Sequence, residues 1–289
     1  MSEAKVIIKT ANIKHRLKLL DALPIKYDVV VKSAYCKEWL LEIFKPRHLC
    51  FTEINKLGNR KDKTMLKIPN KNKMVDAIEN FENVCYADAD TLIEFKDYEH
   101  NQIVMVDDKD NREGVSITEL DKFATKLKKA RMDMPKTCFI NYGCCTGWYP
   151  DKEVVERGVY EARKYFEEVS VGGSFVLKHV DILDKIDKVR VGEYLMMGTM
   201  GLSHLYNSDD TITIEAEILQ TKTDGDILLD LGYQNITKNA NPQIRCVNSD
   251  YSVVSESPLH NYSKGDMYRI KPDYTSFILA MSSLKIVYE

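Results

Sequence analysis

The stretch YDVVVKSAYC (27–36) decides the reading of this chain. Its β-branched residues in an unbroken apolar run read as a strand buried on both faces, which is the mark of a parallel sheet. The run ends on Lys32, and the small residues and Tyr35 that follow read as a turn at the strand's C-terminal end. A lone lysine in that place is most often a solvent-facing terminator. It gains meaning only from what else lies at the same level of the fold.

Working outward, the same pattern recurs. DVVVK (28–32), HLCFTE (48–53), TMLKI (64–68), VCYA (84–87), QIVMVD (102–107), TCFIN (137–141), EVSVG (168–172) and KVRVG (188–192) are eight strand candidates. Amphipathic stretches such as 117–130 and 153–168 lie between them. Strand–helix alternation repeated this often implies parallel strands with helical crossovers, and eight strands suggest a closed (β/α)8 barrel of the TIM type over 10–205. From TITIEAEIL (211–219) the texture changes to apolar–polar alternation with turn signals. This predicts a small, mainly β domain over 206–289, with VIIK (6–9) as a spare strand ahead of a helix at 13–22.

A length of 289 residues fits a barrel plus a small domain. The net charge of -3, with lysines interspersed among carboxylates, argues against a nucleic-acid partner or an anionic membrane surface. No signal-peptide core opens the sequence, and no apolar run approaches the ~18 residues of a membrane span. Seven cysteines without a CxxC pair point to a reducing, cytoplasmic setting, with Cys36, Cys50, Cys85 and Cys138 as buried thiols. The six histidines are scattered, so no metal site is expected.

In such a barrel, chemistry sits at the C-terminal ends of the strands. Those ends carry Lys32, Glu53, Asp107 with Arg112, Asn141 with Cys144 and Cys145, SVGGS (170–174) and Arg190. A lysine in a partly dry site can act as a neutral amine and form a Schiff base. Gly172, Gly173 and Ser174 can bring backbone N–H groups and a hydroxyl to a phosphate. An arginine facing a ring nitrogen tunes a pyridine cofactor. Lysine, phosphate cradle and arginine together are the minimum set for pyridoxal 5'-phosphate.

These residues resemble, in order and along nearly the whole chain, the alanine racemase-like group of pyridoxal-phosphate proteins, and within it the ornithine racemase branch. VVVKSAYC resembles the segment of the cofactor lysine, which maps to Lys32. VMVDDKDNREGV (104–115) is similar to the family's Asp-then-Arg-x-Gly segment and places Arg112 near the cofactor's phenolic oxygen. NYGCCTGWYP (141–150) is similar to the branch's Asn-x-x-Cys segment, with Asn141 and Cys144 at its polar positions. SVGGS resembles the phosphate loop, and VRVGEYLMMG (189–198) the Arg-x-Gly-Glu block that puts Arg190 at the pyridine nitrogen. The resemblance implies an amino-acid racemase working through a Lys32 aldimine on a basic or polar amino acid such as ornithine, and a homodimer in which the first strand joins the C-terminal domain. Tyr35 is implied as a cofactor contact. Cys144, Cys145 or, more remotely, Tyr233 are the candidates for the second acid. EAEILQTKTDG runs directly into DILLDLGYQNI, without the family's longer glycine-rich loop. Two alternatives therefore stand beside racemisation: a lyase-type reaction on the same fold, and a cofactor-binding or interaction protein without turnover.

Overall fold

The computed structural model describes residues 4–57, 59–109, 111–142, 150–198, 211–240, 242–256 and 261–289. The described residues divide into two compact units, one of Leu19–Tyr194, the other of 4–18, Leu195–Gly198 and 211–289.

The larger unit is built on a parallel sheet. Its strands are β2 (Lys26–Val31), β3 (Leu49–Phe51), β4 (Lys63–Met65), β5 (Asn83–Tyr86), β6 (Asn101–Asp107), β8 (Thr137–Asn141), β9 (Glu168–Gly172) and β10 (Lys188–Val191). They pair in that order, and β10 returns to β2 with Arg190 opposite Asp28, so the sheet closes into an eight-stranded barrel. A two-residue strand, β7 (Val115–Ser116), adds to β6 outside this circuit. All eight apolar runs of the sequence are barrel strands. Parallel strands walled by helices are dry on both faces, so each was visible as a continuous apolar run. Along each strand alternate residues face inward. Cys50, Cys85, Ile103, Met105 and Phe139 form the interior cluster, with Val30 packed against it.

The crossovers are α2 (Glu38–Phe44), α3 (Met74–Asn80), α4 (Ala89–Glu94), α5 (Leu120–Lys129) and α6 (Lys152–Ala162). Helix α4 starts where the Asp88 side chain accepts from the Thr91 N–H at 2.8 Å, and α5 ends on Lys126, Lys128 and Lys129, which suit its negative end. The pattern at 153–168 overruns the helix: α6 stops at Ala162, yet Phe166 beyond it is still buried. Between β9 and β10 the chain makes two 3-10 turns, Ser174–Lys178 and Val180–Lys185, where other crossovers place an α-helix.

The smaller unit centres on β11 (Ile212–Thr221). Here β1 (Lys5–Ile8), at the start of the chain, pairs antiparallel with β11 and parallel with β16 (Lys285–Tyr288). β15 (Met267–Ile270) pairs with β11 on the side opposite β1, and β12 (Ile227–Leu229) pairs with the C-terminal part of β11 and leads on to β14 (Ser252–Val254) and β13 (Ile244–Val247). Helix α8 (Tyr274–Ser283), capped by Asp273, precedes β16. Helix α1 (Thr10–Asp21) follows β1, and its Arg16 is buried with hydrogen bonds to the Leu195 carbonyl and the Thr211 hydroxyl. A short helix, α7 (Glu193–Met197), follows β10. No helix among the described residues is long and apolar enough to cross a membrane.

Candidate active site at the barrel's C-terminal rim

Arg190 organises the rim. It lies on β10, is 1% exposed, and crosses the barrel interior with its guanidinium 4.1 Å from the centre of the Phe139 ring. One terminal nitrogen donates to the Ser170 carbonyl at 2.7 Å and to the Ser170 hydroxyl at 2.9 Å. The other donates to the Ile140 carbonyl at 2.8 Å and to Asn141 Oδ1 at 2.7 Å. Among the described residues its Nε is buried with no partner. Burial pulls the guanidinium's pKa down, and the nearby Asp28 carboxylate opposes that shift. An arginine remains a cation even so.

Arg190 fits because Gly172 has no side chain. A Cβ there would stand 2.5 Å from Arg190 Nη2 and 2.5 Å from Asn141 Oδ1. Gly173 adopts φ +110°, a region natural to glycine, and a Cβ would meet the Phe175 ring at 2.8 Å. Ser174 is buried, and its hydroxyl accepts the Tyr194 N–H at 3.1 Å.

Asn141 ends β8 and carries the network onward. Its Nδ2 donates to Met105 Sδ at 3.2 Å and to Glu113 Oε1 at 3.3 Å. Glu113 pairs with Arg112, whose Nη2 reaches Oε1 at 2.8 Å. The loop returns under Gly114 at φ +130°, where a Cβ would press on the Met105 carbonyl at 2.8 Å. Arg112, Asn141, Gly172 and Arg190 thus form one connected cluster.

Lys32 and Tyr35 stand on the neighbouring strand end. Lys32 continues the extended backbone of β2 (φ −80°, ψ 151°), so it shares the inward face of Val30. It is half-buried, and among the described residues no hydrogen bond or ion pair holds its Nζ. Tyr35 is fully buried and donates to the Val30 carbonyl at 3.2 Å. Its hydroxyl lies 3.4 Å from the position a Gly192 Cβ would take. Cys144 and Cys145 lie outside the described residues. Tyr233 is 58% exposed in the smaller unit. Of the four thiols expected inside, Cys50, Cys85 and Cys138 are buried, whereas Cys36 is only half-buried.

Two members of this cluster escaped the sequence reading. Glu113, between Arg112 and Gly114, links the two ends of the network. Ser170 supplies both its carbonyl and its hydroxyl to Arg190. Glu113 carried a signal, a carboxylate beside an arginine; Ser170 carried none beyond its inward parity with Gly172.

No protein-family model and no curated protein matches the sequence. Solved structures match the fold. An alanine racemase from Acinetobacter baumannii superposes with a TM-score of 0.73 at 15% identity, covering all of this chain and all of that one. The biosynthetic alanine racemase from Pseudomonas aeruginosa gives 0.75 at 14%, again over the whole of both chains. D-threo-3-hydroxyaspartate dehydratase from Delftia sp. HT23 gives 0.75 at 12%, covering all of this chain and 94% of that one.

Proposed function

From an alanine racemase fold with this rim, we propose that the chain is a pyridoxal-phosphate-dependent amino-acid racemase. The observation that carries the reading is the orphaned Nε of Arg190. Every other donor set of that guanidinium is used by protein acceptors, and a buried N–H without a partner is costly. The nitrogen of a pyridine ring is an acceptor of the required kind. Lys32, with no partner among the described residues, suits the cofactor's carbonyl carbon. Gly172, Gly173 and Ser174 are assigned to its phosphate on the strength of the sequence resemblance. The residues present therefore fit the group.

When bound, pyridoxal phosphate supplies an electron sink that acidifies the Cα–H of an amino acid. The chain's own residues do the rest. Arg190, permanently charged and held by four acceptors, would offer its Nε–H to the ring nitrogen and, as a cation, would oppose a proton there. Lys32 Nζ takes and gives the proton on one face. Arg112, steadied by Glu113, holds an anionic oxygen of substrate or cofactor. Inversion needs an acid on the opposite face, for which the sequence offers Cys144, Cys145 and, more remotely, Tyr233 as candidates. We take the substrate to be a basic or polar amino acid such as ornithine and the working form to be a homodimer, both on the strength of the sequence resemblance.

The test begins with colour. The purified protein should be yellow, borohydride should fix the chromophore on Lys32, and Lys32→Ala should be colourless. A protein that takes up no pyridoxal phosphate would sink the reading. Incubation of L-amino acids in deuterated water should then give Cα exchange with inversion, slowed in Cys144→Ser. The dehydratase that shares this fold supports a second, lyase-type reading. Release of ammonia and a keto acid in place of inversion would select it, and a yellow protein without exchange would mean binding without turnover.

A further inference from the structure

The opposite mouth of the barrel, where its strands begin, departs from the branched aliphatic layers that usually fill such barrels. It opens on a cavity of about 1080 Å³ lined by strand N-termini and the loops before them. The side chains there are polar, and most are matched. Asn101 Nδ2 donates to Asn83 Oδ1 at 3.1 Å. His48 Nε2 and Thr64 Oγ1 lie 2.7 Å apart. Lys188 pairs with Glu168 at 2.7 Å.

Asp28 is the exception. It lines this cavity from β2 and is 4% exposed, yet among the described residues its carboxylate has neither a hydrogen bond nor an ion pair. His48, Lys188 and Arg190 act on it only at a distance, and burial outweighs them, so its pKa is raised. Its oxygens are not sealed off by protein, so the carboxylate meets the cavity, and its donor must come from there. The position makes physical sense when something outside the chain supplies the donor.

Charge indicates what that donor is. The cavity is lined by six carboxylates and three lysines. Glu168, Glu167 and Asp187 are engaged by Lys188, Lys136 and Arg163. Among the described residues, that leaves Asp28 inside and the exposed Asp133 and Asp184 against one unpaired lysine, Lys26. We propose that this N-terminal mouth is a binding site for a small organic cation, a primary aliphatic amine whose ammonium group sits on Asp28. A diamine places its second ammonium among the rim carboxylates. The site is separate from the C-terminal rim and does not depend on the reaction proposed there.

The test is isothermal titration of the full chain with n-butylamine, with putrescine, and with sodium acetate at equal ionic strength. The protein is first treated with pyridoxal phosphate and borohydride, so that an amine cannot condense at the C-terminal rim. Both amines should bind, putrescine more tightly, and acetate should not. Asp28→Asn should weaken both amines tenfold or more, and the double variant Asp133→Asn/Asp184→Asn should abolish the preference for the diamine. Absence of amine binding, binding of acetate in its place, or wild-type affinity in Asp28→Asn overturns the proposal. Should Asp28→Asn fail to fold, the rim double variant decides, and an undiminished preference for putrescine overturns it.

Discussion

A methyl group at position 172 is the smallest change that tests the rim. Ala at Gly172 would bring Cβ to 2.5 Å from both ends of the Arg190–Asn141 hydrogen bond. Neither neighbour can step aside, since Arg190 is also tied to Ser170 and Ile140 and Asn141 to Glu113. Overpacking a buried site costs about 1–3 kcal/mol. Gly172→Ala should lose stability in that range in urea titration and bind pyridoxal phosphate more weakly by absorbance; unchanged values in both would mean that Arg190 has another resting place. Lys32, Arg112 and Arg190 stood out in the sequence only as a set, cations recurring at or near the C-terminal ends of apolar strands. Ser170 did not, because its value lies in Arg190, twenty positions away on the next strand. Asp28 stands in the stretch 27–36, but reads there as the polar start of a strand. Only barrel closure shows that it faces inward.

At the scale of elements, strands were easier to read than the connections between them. A strand dry on both faces must be apolar throughout, whereas a crossover covers the barrel with one face and tolerates many endings. The 3-10 turns between β9 and β10 illustrate this: Phe175, Val176, Ile182 and Leu183 are buried there without a helix to arrange them. Helix α6 shows the reverse, an element fixed by one contact that the sequence hides. Tyr142 donates to Asp108 at 2.8 Å, and both are buried. Gly158 of α6 lies on this pair, and a Cβ would stand 2.1 Å from the Tyr142 hydroxyl and 2.5 Å from the Asp108 carboxylate. In an open helix, Gly→Ala stabilises by about 1 kcal/mol. Here the buried hydrogen bond must break or α6 must lift, so Gly158→Ala should instead destabilise by about 1–3 kcal/mol. A raised urea midpoint would show that α6 is not seated on the pair.

For the whole molecule, the two units should answer chemical probes differently. Burial raises the Cys85 thiol to about 12 and pushes Cys50 and Cys138 up as well, whereas Cys246 in the β unit is exposed. Because the thiolate is the reactive form, mass-mapped alkylation of the native chain should label Cys246 early and leave Cys50, Cys85 and Cys138 untouched until unfolding. Early labelling of any of those three would mean that the barrel opens locally. The β unit has its own signature, in the way β11 is held to strands far apart in the chain. Glu215 on β11 lies opposite Lys5 on β1 and Arg269 on β15, with contacts of 2.9 Å to each. The Lys5 hydrogen bond holds the Glu215 carboxyl below its ordinary pKa, burial opposes this, and Arg269 adds to the lowering. A lowered value means that the folded state binds this proton less readily than the unfolded chain does. The stability it contributes is therefore complete above the ordinary glutamate value of about 4.3 and disappears as pH falls through the folded value. In Glu215→Gln that contribution is missing at every pH. The unfolding midpoint of the β unit should thus be lower than wild type at neutral pH, and the two should converge as the solution is acidified. A gap that stays constant down to strongly acidic pH would mean that Glu215 acts through its shape and not its charge.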